Sequence, residues 1–413
     1  MAGRLSLFDA VNISLGSIIG AGIFVVLGAA AALSGPALVG SVLIAAAVSL
    51  LTGLSAAALS RLYPRSGGVY VFTREAISDF AGFVVGWAWL FSNIVGGATV
   101  AVGFSYYMSF FVPALPRAVG IVAVVALTVG IQLLGAKESS RFNNVLDVVK
   151  VAVLLFFAAA AFSHFQPSHF RPFLPFGVKG LWAGAATIFF AYGGFARVAV
   201  IADEIEDPRR NVPRATILSI LIATAIYLVV AVAAVGGAGA SLLARSGSPL
   251  AAAMSGMGFR SGALIVAFGG LAATSTVLLA SVWGLSRLAQ VMSRDGELPR
   301  FVGRSVRRDG GEVPRNAILI SGAAMLALSF ASDLPHIAYI SSFSLLLYYA
   351  AMNLSGLKVL KGAQRLVTGL GLLSCLVLMI SLPMRSWIAG AAAIAAGVLF
   401  YGIRKAAIKP VPE

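Results

Sequence analysis

Lys150 and Asp147 stand three positions apart in Asp147-Val148-Val149-Lys150-Val151, inside an apolar run. On a helix that spacing puts both side chains on one face, where they can pair. A charge within a membrane helix costs about 2.5–3.5 kcal/mol on insertion scales, and such residues are functional by default. An amine that gains and loses a proton there is expected to be a coupling group, with Asp147 tuning it. A purely structural ion pair is the alternative. Arg197 is a second charge in an apolar run. It is expected to reach toward the cytoplasmic end and pair with Glu204, two turns on, rather than to touch a solute. Arg197, Asp203 and Glu204 together make a candidate gate.

Other chemistries find little support. His164, His169 and His336 are scattered near the ends of apolar runs, without metal-ligand spacing. Cys375 lies in an apolar run with no histidine nearby, which leaves neither a disulfide framework nor a nucleophile with its base. An enzyme is therefore not expected, and neither is a cofactor other than protons acting as the coupling ion. A channel would show repeated polar pore-lining positions, which this sequence lacks.

The elements that must position these residues are membrane helices. Of the 413 residues, 59% are hydrophobic and 11% are charged, too little charge to cover a soluble protein of this length. The apolar residues form runs of roughly 18–25, long enough to cross a bilayer. Twelve spans are predicted, near 8–33, 37–61, 80–112, 116–135, 140–163, 178–203, 213–236, 260–292, 315–331, 334–354, 365–383 and 386–403. They leave no room for a separate soluble domain, so residues 1–413 read as one transmembrane unit. The formal charge of +15 does not point to nucleic acid, because the basic residues lie in short loops between the runs. Loops on one side carry Arg61, Arg65, Arg209, Arg210, Arg294, Arg300, Lys358 and Lys361 among others. The other side holds only Arg117, Arg171, Lys179, Arg245, Arg260 and Arg385. By the positive-inside rule both termini are cytoplasmic. The first apolar run is long, glycine-interrupted and without a cleavage site, so no signal peptide is expected.

Two spans carry glycine-rich interruptions. One is Gly16-Ser17-Ile18-Ile19-Gly20-Ala21-Gly22-Ile23, the other Phe189-Phe190-Ala191-Tyr192-Gly193-Gly194-Phe195. They open two successive groups of five spans, residues 8–163 and 178–354, with two further helices at 365–403. Matching interruptions in two halves point to an inverted-repeat transporter, since an odd number of spans per half turns the second half over. Close helix packing is the simpler use of glycine in a membrane. Here unwinding is the expectation. It frees N–H groups that suit a carboxylate and carbonyls that suit an ammonium group, around a polar cavity.

The sequence resembles the amino acid–polyamine–organocation superfamily over nearly its whole length. Four stretches carry the likeness. They are Leu7-Phe8-Asp9-Ala10 running into Gly20-Ala21-Gly22-Ile23-Phe24; Leu62-Tyr63-Pro64-Arg65-Ser66-Gly67-Gly68-Val69-Tyr70; the second interruption followed by Asp203-Glu204-Ile205-Glu206-Asp207-Pro208; and Ser293-Arg294-Asp295-Gly296-Glu297-Leu298-Pro299. Each is weak alone, but their order and spacing are specific. The resemblance implies an all-α membrane protein of the LeuT type, with five plus five inverted helices, broken helices 1 and 6, and twelve transmembrane helices in all.

By the same likeness, backbone N–H groups around Ala21, Gly22 and Ile23 would meet the substrate carboxylate. Carbonyls around Ile18, Phe190 and Gly193 would meet its amino group, with Ile19 and Gly20 part of the same cradle. Tyr192 and Phe195 would shape the side-chain pocket, and Gly96 and Gly97 would leave room opposite. Lys150 is similar to a lysine of a proton-coupled branch, whose ammonium takes the place of a bound sodium ion. Ser275 and Thr276 fall where sodium-coupled relatives place hydroxyl ligands. The expected function is secondary active transport of an amino acid across the cytoplasmic membrane, by proton symport. An exchanger of amino acids or amines on the same fold is the alternative. The expected partners are that small solute and the lipid bilayer. Nothing in the sequence points to an oligomeric state.

Overall fold

A computed structural model describes residues 5–308, 311–331 and 333–407. The two chain ends expected to be cytoplasmic, residues 1–4 and 408–413, lie outside the described residues. The protein is almost entirely helical. Helix α1 spans Leu7–Ile18. Its start is set by a capping box. The Asp9 amide donates to Ser6 Oγ at 3.3 Å, and the Ser6 amide donates back to Asp9 Oδ2 at 3.0 Å. Asp9, quoted above only as part of a motif, thus has a local task at the helix start.

After Ile18 the helical ladder fails at Ile19 and Gly20, then resumes as a π-helical turn over Gly22–Val26 and α2 over Leu27–Ser34. A turn at Gly35, whose φ of +60° suits glycine, leads to α3, Leu38–Leu62. Next come α4 (Val69–Ala76), α5 (Asp79–Met108), α6 (Arg117–Leu134) and α7 (Ala136–Phe162). The second interruption follows α8, Gly177–Ile188. It is not unwound, as the sequence led us to expect, but tightened into a 3-10 helix over Phe189–Ala196, which runs into the short α9, Arg197–Val200. The remaining helices are α10 (Pro208–Ala238), α11 (Ala240–Ala244), α12 (Pro249–Gly256), α13 (Arg260–Arg294), α14 (Arg315–Ser329), α15 (Leu334–Val359), α16 (Gly362–Ile380) and α17 (Met384–Ala407). A two-stranded ribbon precedes α14. In it Val306 pairs with Val313 and Arg307 with Glu312.

Among the described residues, nine helices are long and apolar enough to cross a membrane, the first covering Leu7–Leu62 as one unit. The protein is therefore a multi-pass helical membrane protein. Helix α10 packs on α1 and α3, and α13 packs on α5 and α7. Helix α15 packs on α5, with α16 and α17 applied to its outer side. The interrupted segments are enclosed. Ile19, Ala21, Ile23, Tyr192 and Phe195 are all buried. By contrast α16 and α17 expose Leu366, Leu373, Ile380, Leu399 and Ile403, an arrangement stable against lipid tails but not against water.

Candidate functional site

The two interruptions meet at the centre of the molecule. An ideal Cβ on Gly22 would lie 2.2 Å from Ala191 Cβ and 2.3 Å from its Cα, and one on Gly194 would lie 2.3 Å from the Ser17 carbonyl carbon. Both glycines are therefore demanded by backbone-to-backbone approach, whatever else they allow. The outer half of the first interrupted helix begins where Gly20 O accepts the amides of Ile23 and Phe24, at 3.2 and 3.3 Å. The N–H groups of Gly20, Ala21 and Gly22 are then its first-turn donors, which an intact ladder would have used. Their positive end suits an anion.

Several carbonyls at the two interruptions accept hydrogen bonds from tyrosines. Tyr227 on α10 donates its hydroxyl to Ile18 O at 2.5 Å and to Ala191 O at 3.1 Å. Tyr349 on α15 donates to Gly193 O at 2.8 Å. The carbonyls expected to meet an amino group at Ile18 and Gly193 are thus each already held by a tyrosine. Gly193 O also lies within the 3-10 stretch, whose own i→i+3 ladder draws on its carbonyls.

A cavity opens beside this meeting point. It is bounded by Ser17, Ile18, Gly22, Phe190, Gly193 and Arg197 from the interrupted helices. Trp89, Ser92, Asn93 and Gly96 on α5 face them, with Ser281 on α13 and Ser341 on α15. As folded it leaves about 40 Å³ for water-sized occupants, room for about three waters. Admitting an amino acid requires the walls to move. Ser92 and Ser341 exchange hydroxyl-to-carbonyl bonds at 3.3 and 3.2 Å, tying α5 to α15 across the cavity.

Lys150 is not among the residues that bound this cavity. Its side chain is 1% exposed. The ammonium donates to Gly16 O at 2.6 Å and to Thr276 Oγ1 at 3.2 Å, and pairs with Asp147 Oδ1 at 2.5 Å. One cation thus joins α7, the inner half of the first interrupted helix, and α13. Ser275 is buried but is not among its hydrogen-bond partners.

The sequence reading and the structure differ at several positions. Arg197 does not reach Glu204; among the described residues no ion pair joins them. The guanidinium turns into the cavity wall, where Nη2 donates to Ser281 Oγ at 2.9 Å and to Asn93 Oδ1 at 3.4 Å. The reason is geometric. Helix α9 ends at Val200, and the chain turns at Ile201 into a 3-10 turn over Ala202–Glu204, so the straight-helix register that would put Arg197 and Glu204 on one face does not reach Glu204. Tyr192 and Phe195 do not line the cavity. Tyr192 packs edge-on against Tyr227, and Phe195 stacks on Tyr349 at 4.8 Å. Gly97 faces Met325 on α14, whereas Gly96 does border the cavity, near Ser341 and Phe190. Gly20 abuts Val277 on α13. Asn93, Ser92 and Ser281 were missed. Polar residues inside long apolar helices, they were visible as such, but helical phase alone does not say which polar residue faces inward.

Asp203 and Glu204 take part in a closure at one end of the molecule. Ser66 donates its amide to Asp203 Oδ2 at 3.2 Å, and the Asp203 amide donates to Ser66 Oγ at 3.3 Å. Glu204 contributes its carbonyl, which accepts the Leu5 amide at 2.8 Å, while Leu5 O accepts the Glu206 amide at 2.9 Å. Nearby, Tyr70 and Arg74 on α4 both donate to Asp295 Oδ2 at the end of α13, at 2.7 and 2.6 Å, and Arg74 also holds Asp79.

Interrupted helices around a buried polar cavity, inside a multi-pass helical membrane protein, define a membrane transporter. Comparison with known proteins narrows the class. The amino acid permease family matches residues 5–403, and the chain belongs to that family. It is 36% identical to an uncharacterized transporter of Mycobacterium tuberculosis, over 97% of this chain and 91% of that protein. It is 30% identical to the methylthioribose transporter of Bacillus subtilis, over 97% of this chain and 93% of that one. It is 32% identical to a branched-chain amino acid permease of the same organism, over 72% and 68%. These relatives are named as transporters or permeases, not as enzymes.

Proposed function

We propose that the protein is a secondary active transporter that carries an amino acid across the cytoplasmic membrane by alternating access, coupled to protons through Lys150. The observation that carries this reading is the position of the Lys150 ammonium between Gly16 O, Thr276 Oγ1 and Asp147. A positive charge there holds α7 and α13 to the inner half of the first interrupted helix. Loss of the proton would remove the attraction to the carbonyl and the carboxylate together, and that half could swing away. A proton acts on the equilibrium only through its different affinity for the two states. This site is built to make such a difference.

In this reading the twelve predicted spans form a five-plus-five inverted repeat with two added helices, and both termini are cytoplasmic. The closure around Ser66, Asp203, Arg74 and Asp295 is then the inner gate. The substrate carboxylate meets the first-turn amides of Gly20, Ala21 and Gly22, and no cofactor beyond the proton is needed. The relatives are named for solutes as different as methylthioribose and branched-chain amino acids, so substrate choice rests on the residues of this cavity.

The test is uptake of a mixture of labelled amino acids into liposomes holding the full chain. Accumulation driven by an inward proton gradient alone supports symport. Uptake only when unlabelled amino acid is preloaded inside would replace symport with exchange.

A further inference from the structure

The cavity holds one formal charge among the residues that bound it, and that charge is positive. No Asp or Glu is among them. Asp147 cannot compensate Arg197, because it is paired with Lys150. The Lys150–Asp147 pair is neutral as a whole and lends Arg197 no counter-charge. Arg197 Nη2 is satisfied by the neutral oxygens of Ser281 and Asn93. Nη1 is sealed from solvent and donates to nothing among the described residues.

A guanidinium held in a low-dielectric wall with an idle donor is a costly arrangement. It persists where a planar anion arrives to use it. The neighbours fit that role. Asn93 is fixed by its own Nδ2, which donates to Trp89 O at 2.9 Å, so its Oδ1 stays turned to the guanidinium. Ser281 Oγ accepts from Arg197 and keeps its own proton free to give. Arg197 Nη1 and the Ser281 hydroxyl are thus two donors, side by side, in a cavity without a carboxylate.

We propose that the transported solute is an amino acid with an acidic side chain, whose side-chain carboxylate binds Arg197 and Ser281. This inference rests on the transporter reading above and names its substrate class. The α-carboxylate has its own donors at the first interruption, so Arg197 serves a second acid. A cationic solute would add a like charge to an uncompensated one. A neutral solute would leave the guanidinium buried and unpaired, which is the basis of rejection in polar sites.

The experiment is competition against uptake of labelled glutamate and of labelled leucine, in liposomes holding the full chain. Competitors are aspartate, glutamate, asparagine, glutamine, leucine, lysine and the amino-free diacid glutarate. We expect aspartate or glutamate to compete at least about tenfold better than its own amide, a gap of about 1.4 kcal/mol. Arg197→Gln should erase that gap and Arg197→Lys should keep part of it. If Arg197→Gln fails to fold, the wild-type comparison of acid with amide decides alone, and Ser281→Ala should narrow the gap. Equal or better competition by the amides or by leucine overturns the proposal. So does a loss of uptake in Arg197→Gln that is the same for acids and amides, since Arg197 would then bind the α-carboxylate. Competition by glutarate as strong as by glutamate, lost in Arg197→Gln, would support the anion site while removing the amino acid reading of the previous section. Uptake of leucine with no response to any acid would do the reverse.

Discussion

A side chain on Gly16 would take the place occupied by the Asp147 carboxylate, since an ideal Cβ there lies 2.1 Å from Asp147 Oδ2. The same glycine offers its carbonyl to Lys150 at 2.6 Å. Gly16 is therefore the contact surface for both members of the pair, and the pair is pressed on the inner half of the first interrupted helix. The atom in the way is the far end of a flexible side chain, so Gly16→Ala should fold with Asp147 displaced. Overpacking of this kind costs about 1–3 kcal/mol. We expect gradient-driven accumulation to fall by about tenfold, with insertion into the membrane unchanged. Accumulation at the wild-type level would mean that the position of Asp147 is immaterial to coupling.

Lys150→Gln keeps a polar side chain but cannot gain or lose a proton. Accumulation driven by a pH gradient should be lost, while substrate binding, followed by thermal shift, survives. Uptake measured from pH 5 to 8 should become flat in the variant. Wild-type accumulation would leave Lys150 as a structural tie between α7, α1 and α13.

Gly22→Val forces side-chain atoms into the Ala191 backbone, 2.3 Å from its Cα. Backbone cannot step aside as a side-chain tip can. Uptake should be abolished, and the protein should still reach the membrane, because the hydropathy of the span is unchanged or raised. Near-normal uptake would show that the interrupted helices need not touch.

Glu297 tests the closure at the end of α13. Partial burial raises its carboxyl above the ordinary 4.5, Arg74 pulls it down, and Asp79 and Asp295 push it up. A carboxyl whose folded pKa is raised imposes no penalty when protonated. It costs the folded state stability as pH climbs from the ordinary 4.5 to its raised folded pKa, and that cost then stays constant at higher pH. Glu297→Gln should therefore melt higher than wild type at pH 7, with the difference shrinking toward pH 4. A difference independent of pH would exclude ionisation as the cause.

Much of this was legible beforehand. Runs of apolar residues gave the helices, and the paired glycine stretches marked the two interruptions, because a bilayer permits so few backbone solutions. Lys150 and Thr276 were singled out, and they do meet. What the sequence did not reveal was phase across the second interruption. A 3-10 stretch from Phe189 to Ala196 rotates everything after it. It turns Arg197 into the cavity, while Tyr192 and Phe195 pack away against Tyr227 and Tyr349. No periodicity rule for straight helices reports that rotation. Asn93 and Ser281 became meaningful only once Arg197 had been located between them.

The Tyr227 hydroxyl has one proton and two carbonyls within reach, Ile18 O on one interrupted helix and Ala191 O on the other. In the proposed cycle it would serve as a relay between the two interrupted helices. If the inner half of the first helix withdraws, the donor is not stranded, since a rotation of the O–H bond hands it to Ala191. Neither end position then bears the full cost of a buried, idle hydroxyl proton, and the ridge between them is lowered from both sides. Phenylalanine at this position would fill the same space without that hand-over, so the exchange of conformations would slow even where both conformations remain intact.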